Sequence, residues 1–169
     1  MEELNNTNKE NSGEMKDILG EFCTFMKDEL STFSFLNAED IKILSGFLKC
    51  KNIPAGKTLW KEGDPCHDMA FVISGRVEIK KETEFKGRQA VVGIYSKGAV
   101  VGELCFLDSS PRAVTAVALD NVSLALITRE DFEKIIDKYK DLGVRLMKGM
   151  LISVSKRLRG SFGRLASFF

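Results

Sequence analysis

The sequence predicts a mainly β fold with flanking helices, its strands closing into a barrel or jelly roll. Three observations carry this. At Ile53-Pro54-Ala55-Gly56 the helical spacing of apolar residues stops. From there to about Thr128, short alternating stretches are separated by glycine-bearing turns, the pattern of a compact all-β domain. After Thr128 the three- and four-residue spacing returns. The 169 residues hold one such domain with some helix left over, enough to bury a core.

Residues 1–13 are rich in Asn and Glu with almost nothing to bury, which predicts a disordered leader. Residues 14–50 read as N-terminal helices. Met15, Ile18, Leu19, Phe22, Phe25, Met26 and Leu30 mark one amphipathic face. Asn37 caps a second helix, with Asp40 in place of the usual Glu or Gln, and Ile41, Leu44, Phe47 and Leu48 as its apolar side. Within residues 51–128 the expected strands are 58–60, 70–73, 76–80, 90–95, 115–119 and 122–127. Gly56, Gly63, Gly75, Gly87 and Gly98 fall between or beside them, where turns need positive φ. Residues 129–169 return to helix, with Thr128 as a cap, acidic residues in the first turn and lysines in the last. Met147, Leu151, Val154, Leu158, Leu165 and Phe168 then follow a 4-3 spacing with Ser161 at the missing step. That stripe suits either packing on the barrel or a homodimer through the C-terminal helix. The glycines at 143, 149, 160 and 163 predict fraying or bending near the end.

Composition narrows the function classes. A charged fraction of 29%, an apolar fraction of 44% and a net charge of +1 give no general attraction to nucleic acid or anionic membrane. Cys23, Cys50, Cys66 and Cys105 lack zinc-site spacing and the density of a disulfide scaffold, which predicts reduced thiols, no metal and a cytoplasmic protein. The polar, acidic start is unlike a signal peptide, and no 18-residue apolar run occurs. His67 is the sole histidine, expected in an exposed turn, so a multi-histidine metal enzyme on this architecture is not supported. The tail from Ser155 mixes Lys156, Arg157, Arg159 and Arg164 with Phe162, Leu165, Phe168 and Phe169. Packing on itself or on a second copy is favoured over binding a surface; four cations are too few for a nucleic-acid patch.

The chemistry concentrates in "GELCFLDSSPRAVT", residues 102–115. Gly102 opens a short turn of helix whose first amides lack internal partners, a setting suited to an anion. Glu103 is an acceptor for a sugar hydroxyl, and the Arg112 guanidinium can grip phosphate oxygens with two parallel bonds. Pro111 fixes the backbone before it, and Ala113 is small enough to let its amide approach. A sugar phosphate satisfies all of these together. Spacing alone leaves open that Glu103 and Arg112 simply pair with each other.

Residues 36–139 resemble the cyclic nucleotide-binding domains of the catabolite activator protein, protein kinase A regulatory subunits and cyclic nucleotide-gated channels. The centre of the resemblance is Gly102-Glu103-Leu104-Cys105-Phe106-Leu107, a polar turn, then Pro111-Arg112-Ala113-Val114-Thr115. Pro54-Ala55-Gly56, Glu62-Gly63-Asp64, "FVISGRVEI" around Gly75, Gly98 and "ITREDFEKII" match the family's other markers in order. The resemblance implies a β-roll, a double-stranded jelly-roll-like barrel, between N-terminal and C-terminal helices. It also implies a non-enzymatic regulatory module whose ligand is cAMP or cGMP. Within it, Glu103 accepts from the ribose 2′-hydroxyl, Arg112 binds exocyclic phosphate oxygens, and amides of Cys105 and Ala113 complete the cradle. Gly102 allows the close approach, and Leu104 and Thr115 belong to the same set. Ala113 stands where members that favour cGMP often carry Thr or Ser, which favours cAMP.

Val101 replaces the usual Phe before the Gly-Glu pair and Ala99 the usual Asp after Gly98, both outside the gripping set. Some 30 residues follow Tyr139, too few for the winged helix of the family's transcription factors, and no membrane span precedes the barrel. The expectation is therefore a cyclic mononucleotide sensor with no nucleic acid partner, reporting to an unidentified effector protein. The rival is a degenerate, ligand-free barrel serving dimerisation or protein interaction.

Overall fold

The computed structural model describes residues 36–85 and 87–166. In chain order these residues form helix α1 (Ala38–Ser45), strands β1 (Lys49–Ile53), β2 (Thr58–Trp60), β3 (Asp68–Ser74), β4 (Val77–Glu82), β5 (Gln89–Tyr95) and β6 (Val100–Val101), helix α2 (Glu103–Asp108), strands β7 (Thr115–Ala118) and β8 (Val122–Thr128), and helices α3 (Arg129–Lys138) and α4 (Lys140–Ala166). The strands make two four-stranded antiparallel sheets, ordered β1-β8-β3-β6 and β2-β7-β4-β5. Helices flank this β-roll, as the sequence predicts. The helix expected at residues 14–30 and the last stripe residue, Phe168, lie outside the described residues.

Why the middle strands read as unbroken apolar runs is visible in the two cores. Ala70 and Val72 of β3, with Val122 and Leu124 of β8, face the second sheet and meet Trp60, Val77, Ile79 and Ala116. Their neighbours Met69, Phe71, Ile73, Ala125 and Ile127 face the other way and pack on the helices. A strand buried on both faces has no polar side to alternate with. Ile41 and Leu44 of α1, Phe132 and Ile135 of α3, and Leu142, Leu146 and Met150 of α4 close the helical core, each such side chain contributing about 1.5–3 kcal/mol by leaving water.

Both predicted caps form. Asn37 Oδ1 accepts from the Asp40 amide at 2.8 Å while Asp40 Oδ2 accepts from the Asn37 amide at 3.0 Å. Arg145 of α4 donates to the other Asp40 oxygen at 2.6 Å and thereby ties α1 to α4. Thr128 Oγ1 accepts from the Asp131 amide at 3.1 Å at the start of α3. The Thr128 hydroxyl in turn donates to Asp131 Oδ2 at 2.8 Å, and that bond, with the neighbouring Lys134, holds the Asp131 carboxyl below its ordinary range. The five barrel glycines all have positive φ. At Gly75 a Cβ would sit 2.4 Å from the Asn121 carbonyl oxygen, so only glycine permits the close pass of the β3–β4 turn over the β7–β8 turn.

Two strands were not among those expected. β1 is an edge strand with Lys49, Lys51 and Asn52 exposed, so it lacks the apolar alternation that would announce it. It also ends the N-terminal helical stretch earlier than residue 50, and Leu48 lies past α1. β6 is only Val100–Val101, too short to carry a period. Conversely, the glycines of α4 do not interrupt it, and one helix runs from Lys140 to Ala166.

Candidate functional site

β6 delivers the chain to Gly102, whose φ of 80° turns it sharply into α2. Glu103 is the first residue of that helix and is buried, 1% exposed. Its carboxylate is held by Arg157 of α4, which also donates to the Val100 carbonyl. The Arg157 guanidinium lies 4.3 Å over the Tyr95 ring, on the last residue of β5.

Arg112 is likewise buried, 5% exposed, but is held elsewhere. Its Nη2 donates to Asp68 Oδ1 at 2.5 Å, its Nη1 reaches the Gly102 carbonyl at 3.5 Å, and its guanidinium carbon sits 4.0 Å over the Trp60 ring. The Arg112 Nε is buried with no hydrogen-bond partner among the described residues. Thus Glu103 and Arg112 do not form a private pair: each has its own partner, and both line one cavity.

The backbone around Arg112 is clamped to the Glu62-Gly63-Asp64 turn. The Arg112 amide donates to the Asp64 carbonyl at 2.9 Å, and the Gly63 amide donates to the Arg112 carbonyl at 2.8 Å. Glu62 accepts from Lys81 and from the Glu82 amide, which hold its carboxyl below the ordinary range, the amide bond being the larger cause. Lys81 also donates to the Ala113 carbonyl at 3.0 Å. Before Arg112, Ser110 donates its amide and hydroxyl to Asp108 and lowers that carboxyl, so the exposed turn is locally fixed.

Gly102, Glu103, Leu104, Cys105, Arg112 and Ala113 all line one cavity of about 890 Å³. Its remaining walls come from β4 and β5 (Ile79, Val92, Tyr95) and from α4 (Val154, Leu158, Ser161). Thr115 is not on the wall. It is buried, and its Oγ1 accepts from the Glu62 amide at 2.9 Å and from Gln89 Nε2 at 3.4 Å, which braces the turn under Arg112. One buried cation, one buried carboxylate and a broad apolar wall are what a small anionic molecule with hydroxyls and a flat ring requires.

The cysteine expectation needs correcting. Cys66, in the β2–β3 loop, and Cys105, in α2, are joined as a disulfide, while Cys50 is a free thiol whose pKa burial raises. Thirty-nine residues separate the bonded pair, and only the fold brings loop and helix together. His67 is exposed, as expected. Among the described residues, no group of three or more His, Cys, Asp or Glu could hold a metal ion, and no helix is long and apolar enough to cross a membrane.

Sequence reading missed Asp68, Trp60, Tyr95 and Arg157. Arg157 was visible only as one cation of a basic-aromatic tail, 54 positions from the glutamate it binds. Nothing in the local pattern around Asp68 or Trp60 singles them out, because their partner arrives from 44 and 52 residues downstream.

Known proteins are similar to this chain in sequence and in fold. The cAMP-dependent protein kinase regulatory subunit of Aspergillus niger is 30% identical over 115 residues, which are 68% of this chain and 27% of that protein. The Cyclic AMP receptor protein of Thermus thermophilus is 27% identical over 104 residues, 62% of this chain and 48% of that protein. The chain therefore spans about a quarter to a half of the curated relatives it matches. A solved cyclic nucleotide-binding domain from Methylobacillus flagellatus KT superposes with a TM-score of 0.79 at 22% identity, covering 87% of this chain and 85% of that one, a likeness of fold. The profile described as "Cyclic nucleotide-binding domain" matches residues 50–139, just over half of the chain. Since that match runs through the strands, the glycine turns and the Glu103 and Arg112 segment that wall the cavity, the chain belongs to the family of cyclic nucleotide-binding domains.

Proposed function

We propose that the chain is a cytoplasmic sensor module that takes a cyclic mononucleotide, cAMP in preference to cGMP, into the 890 Å³ cavity and reports occupancy through α4. The observation that carries this reading is Arg112: a buried guanidinium on the wall of a largely apolar cavity, with its Nε lacking a partner. Arg112 holds the exocyclic phosphate oxygens by charge-assisted bonds, sharing its positive charge with Asp68. Glu103 accepts from the ribose 2′-hydroxyl. Gly102, Leu104, Cys105 and Ala113 form the near wall, and Thr115 supports the turn without touching ligand. Ala113 brings no hydroxyl to the cavity, so a guanine gains no extra bond there. The module has no catalytic role of its own.

Arg157 explains how binding reaches the helix. It grips Glu103 from α4, so a hydroxyl arriving at Glu103 must either share that carboxylate with Arg157 or displace it. Two placements of α4 then differ in ligand affinity, which is the condition for a ligand to shift their populations. A further reading concerns α4 itself: Val144, Met147 and Leu151 leave their large apolar side chains exposed along one stripe, while Leu142, Leu146 and Met150 pack inward and Leu158 and Leu165 border the cavity. That stripe suits a second copy of this helix, giving a homodimer whose α4 position an effector protein reads.

Calorimetric titration with cAMP and cGMP tests the binding proposal. Heat with both, and a lower dissociation constant for cAMP, is the expected result; no heat with either at millimolar ligand leaves the ligand-free barrel as the reading. Sedimentation tests the dimer. The chain should run at twice its monomer mass, and Val144→Glu with Leu151→Glu, both on the exposed stripe and off the cavity wall, should return it to the monomer without loss of ligand binding.

A further inference from the structure

The disulfide between Cys66 and Cys105 joins two of the segments that hold the Arg112 side chain. Cys66 is two residues before Asp68, the arginine's carboxylate partner, and Cys105 is in α2, its sulfur 3.6 Å from Arg112 Nη1. Both sulfurs are enclosed in the helical core with Met69, Phe71 and Phe106, 8% and 2% exposed respectively. Arg129, the first residue of α3, bridges the same two segments: its amide donates to the His67 carbonyl at 3.0 Å and its Nη2 to the Cys105 carbonyl at 2.9 Å. The covalent link therefore sits between the ligand cavity on one side and the start of the C-terminal helices on the other.

The reduced pair has a place in the same fold. A protonated Cys66 would find the Asp68 carbonyl 3.9 Å away, and a protonated Cys105 the Gly102 carbonyl at 3.5 Å. These acceptors belong to the two residues that already hold Arg112, since Asp68 pairs with its Nη2 and Gly102 accepts from its Nη1. Reduction thus trades a bond that locks loop to helix for two weak thiol donors, one of which competes with Arg112 for the Gly102 carbonyl.

We propose that Cys66 and Cys105 form a thiol–disulfide exchange site that sets the affinity of the ligand cavity, with a low-molecular-weight thiol/disulfide couple of the glutathione class as co-reactant. In the reducing direction one small thiolate attacks a protein sulfur, the S–S bond breaks, and a mixed disulfide and one protein thiolate result. A second small thiol displaces the first as the small disulfide. The protein cystine gains two electrons and two protons, and the two small thiols are oxidised. In the oxidised state the link fixes Asp68, Arg112 and the first turn of α2 before ligand arrives, so less ordering remains to be done on binding. Oxidised protein accordingly binds tighter than reduced.

This rests on the cyclic nucleotide reading above, and the experiment separates the two. The full chain carrying Cys23→Ser and Cys50→Ser, which leaves only the pair, is titrated with cAMP and cGMP after oxidation by glutathione disulfide and after reduction by dithiothreitol. The expected result is about tenfold tighter binding when oxidised, the middle of the usual range for coupled sites. Adding Cys66→Ser, which leaves the cavity wall intact, should give the reduced-state affinity with no further response to dithiothreitol. Coupling is reciprocal, so saturating cAMP should move the pair's midpoint in a glutathione buffer by the same factor, about 30 mV toward the disulfide for a tenfold effect. Equal affinity in the two states, tighter binding on reduction, or a dithiothreitol response that survives Cys66→Ser overturns the exchange-site proposal while leaving nucleotide binding standing. No binding in either state overturns the nucleotide reading itself and this proposal with it.

Discussion

Arg112→Ala is expected to weaken cAMP binding by about a hundredfold or more, because two charge-assisted bonds of roughly 1.5–3 kcal/mol each are removed from a buried anion site. No neighbour can substitute. Arg157 is engaged on Glu103 and the Val100 carbonyl. Lys81 is committed to Glu62 and the Ala113 carbonyl. The fold should survive the change, since the backbone of residue 112 stays clamped by Asp64 and Gly63 and the Asp68 side chain left behind is about a third exposed. Some loss of stability follows from removing the contact with Trp60. Calorimetry on folded variant, checked by circular dichroism, measures the effect. Arg112→Lys keeps the charge and loses the planar fork, so its affinity should fall between the two. Unchanged binding in Arg112→Ala would sink the assignment of phosphate to this residue.

Gly102→Ala should damage both stability and binding, and for two separable reasons. A φ of 80° costs a residue with a Cβ about 1–2 kcal/mol. The new methyl would also lie 2.4 Å from Arg112 Nη1 and 3.3 Å from the Trp60 ring. Arg112 cannot yield freely, for Asp68 and Trp60 hold it in place. Thermal or denaturant unfolding should show a loss of roughly 1–3 kcal/mol, in line with strain of this kind at a site. The affinity for cAMP should drop by at least about tenfold as the guanidinium is displaced, each 1.4 kcal/mol of lost contact being tenfold. If stability falls and affinity does not, Gly102 matters as a turn and not as the opening for Arg112.

Both effects depend on contacts that join distant parts of the chain, and the same distinction marks what was legible beforehand. Six of the eight strands, the caps at Asn37 and Thr128 and the five turn glycines follow from nearest-neighbour patterns. β1 escaped because an edge strand with lysines and asparagine on its surface has no local signature. The stripe on α4 was readable as a period, but whether it faces the barrel or solvent was not. Leu142, Leu146 and Met150 turned out to be the inward face, which rotates Met147 and Leu151 outward, while Val154 and Leu158 of the same stripe border the cavity.

By itself the sequence determined a mainly β fold between helices, with the β-roll following from the resemblance to a known family, and it singled out Gly102, Glu103, Arg112 and Ala113, because each signal is written in a contiguous run or a fixed order of turns. Tertiary structure decided which charge meets which. Glu103 and Arg112 are nine residues apart and looked like candidates for one another, yet Asp68 and Arg157 claim them from 44 and 54 positions away. It also decided that Cys66 and Cys105 are joined. The reason is physical: a backbone turn is fixed by the few residues within it, whereas the partner of a buried charge or sulfur is whatever group the closing of the sheets and helices carries to within bonding distance.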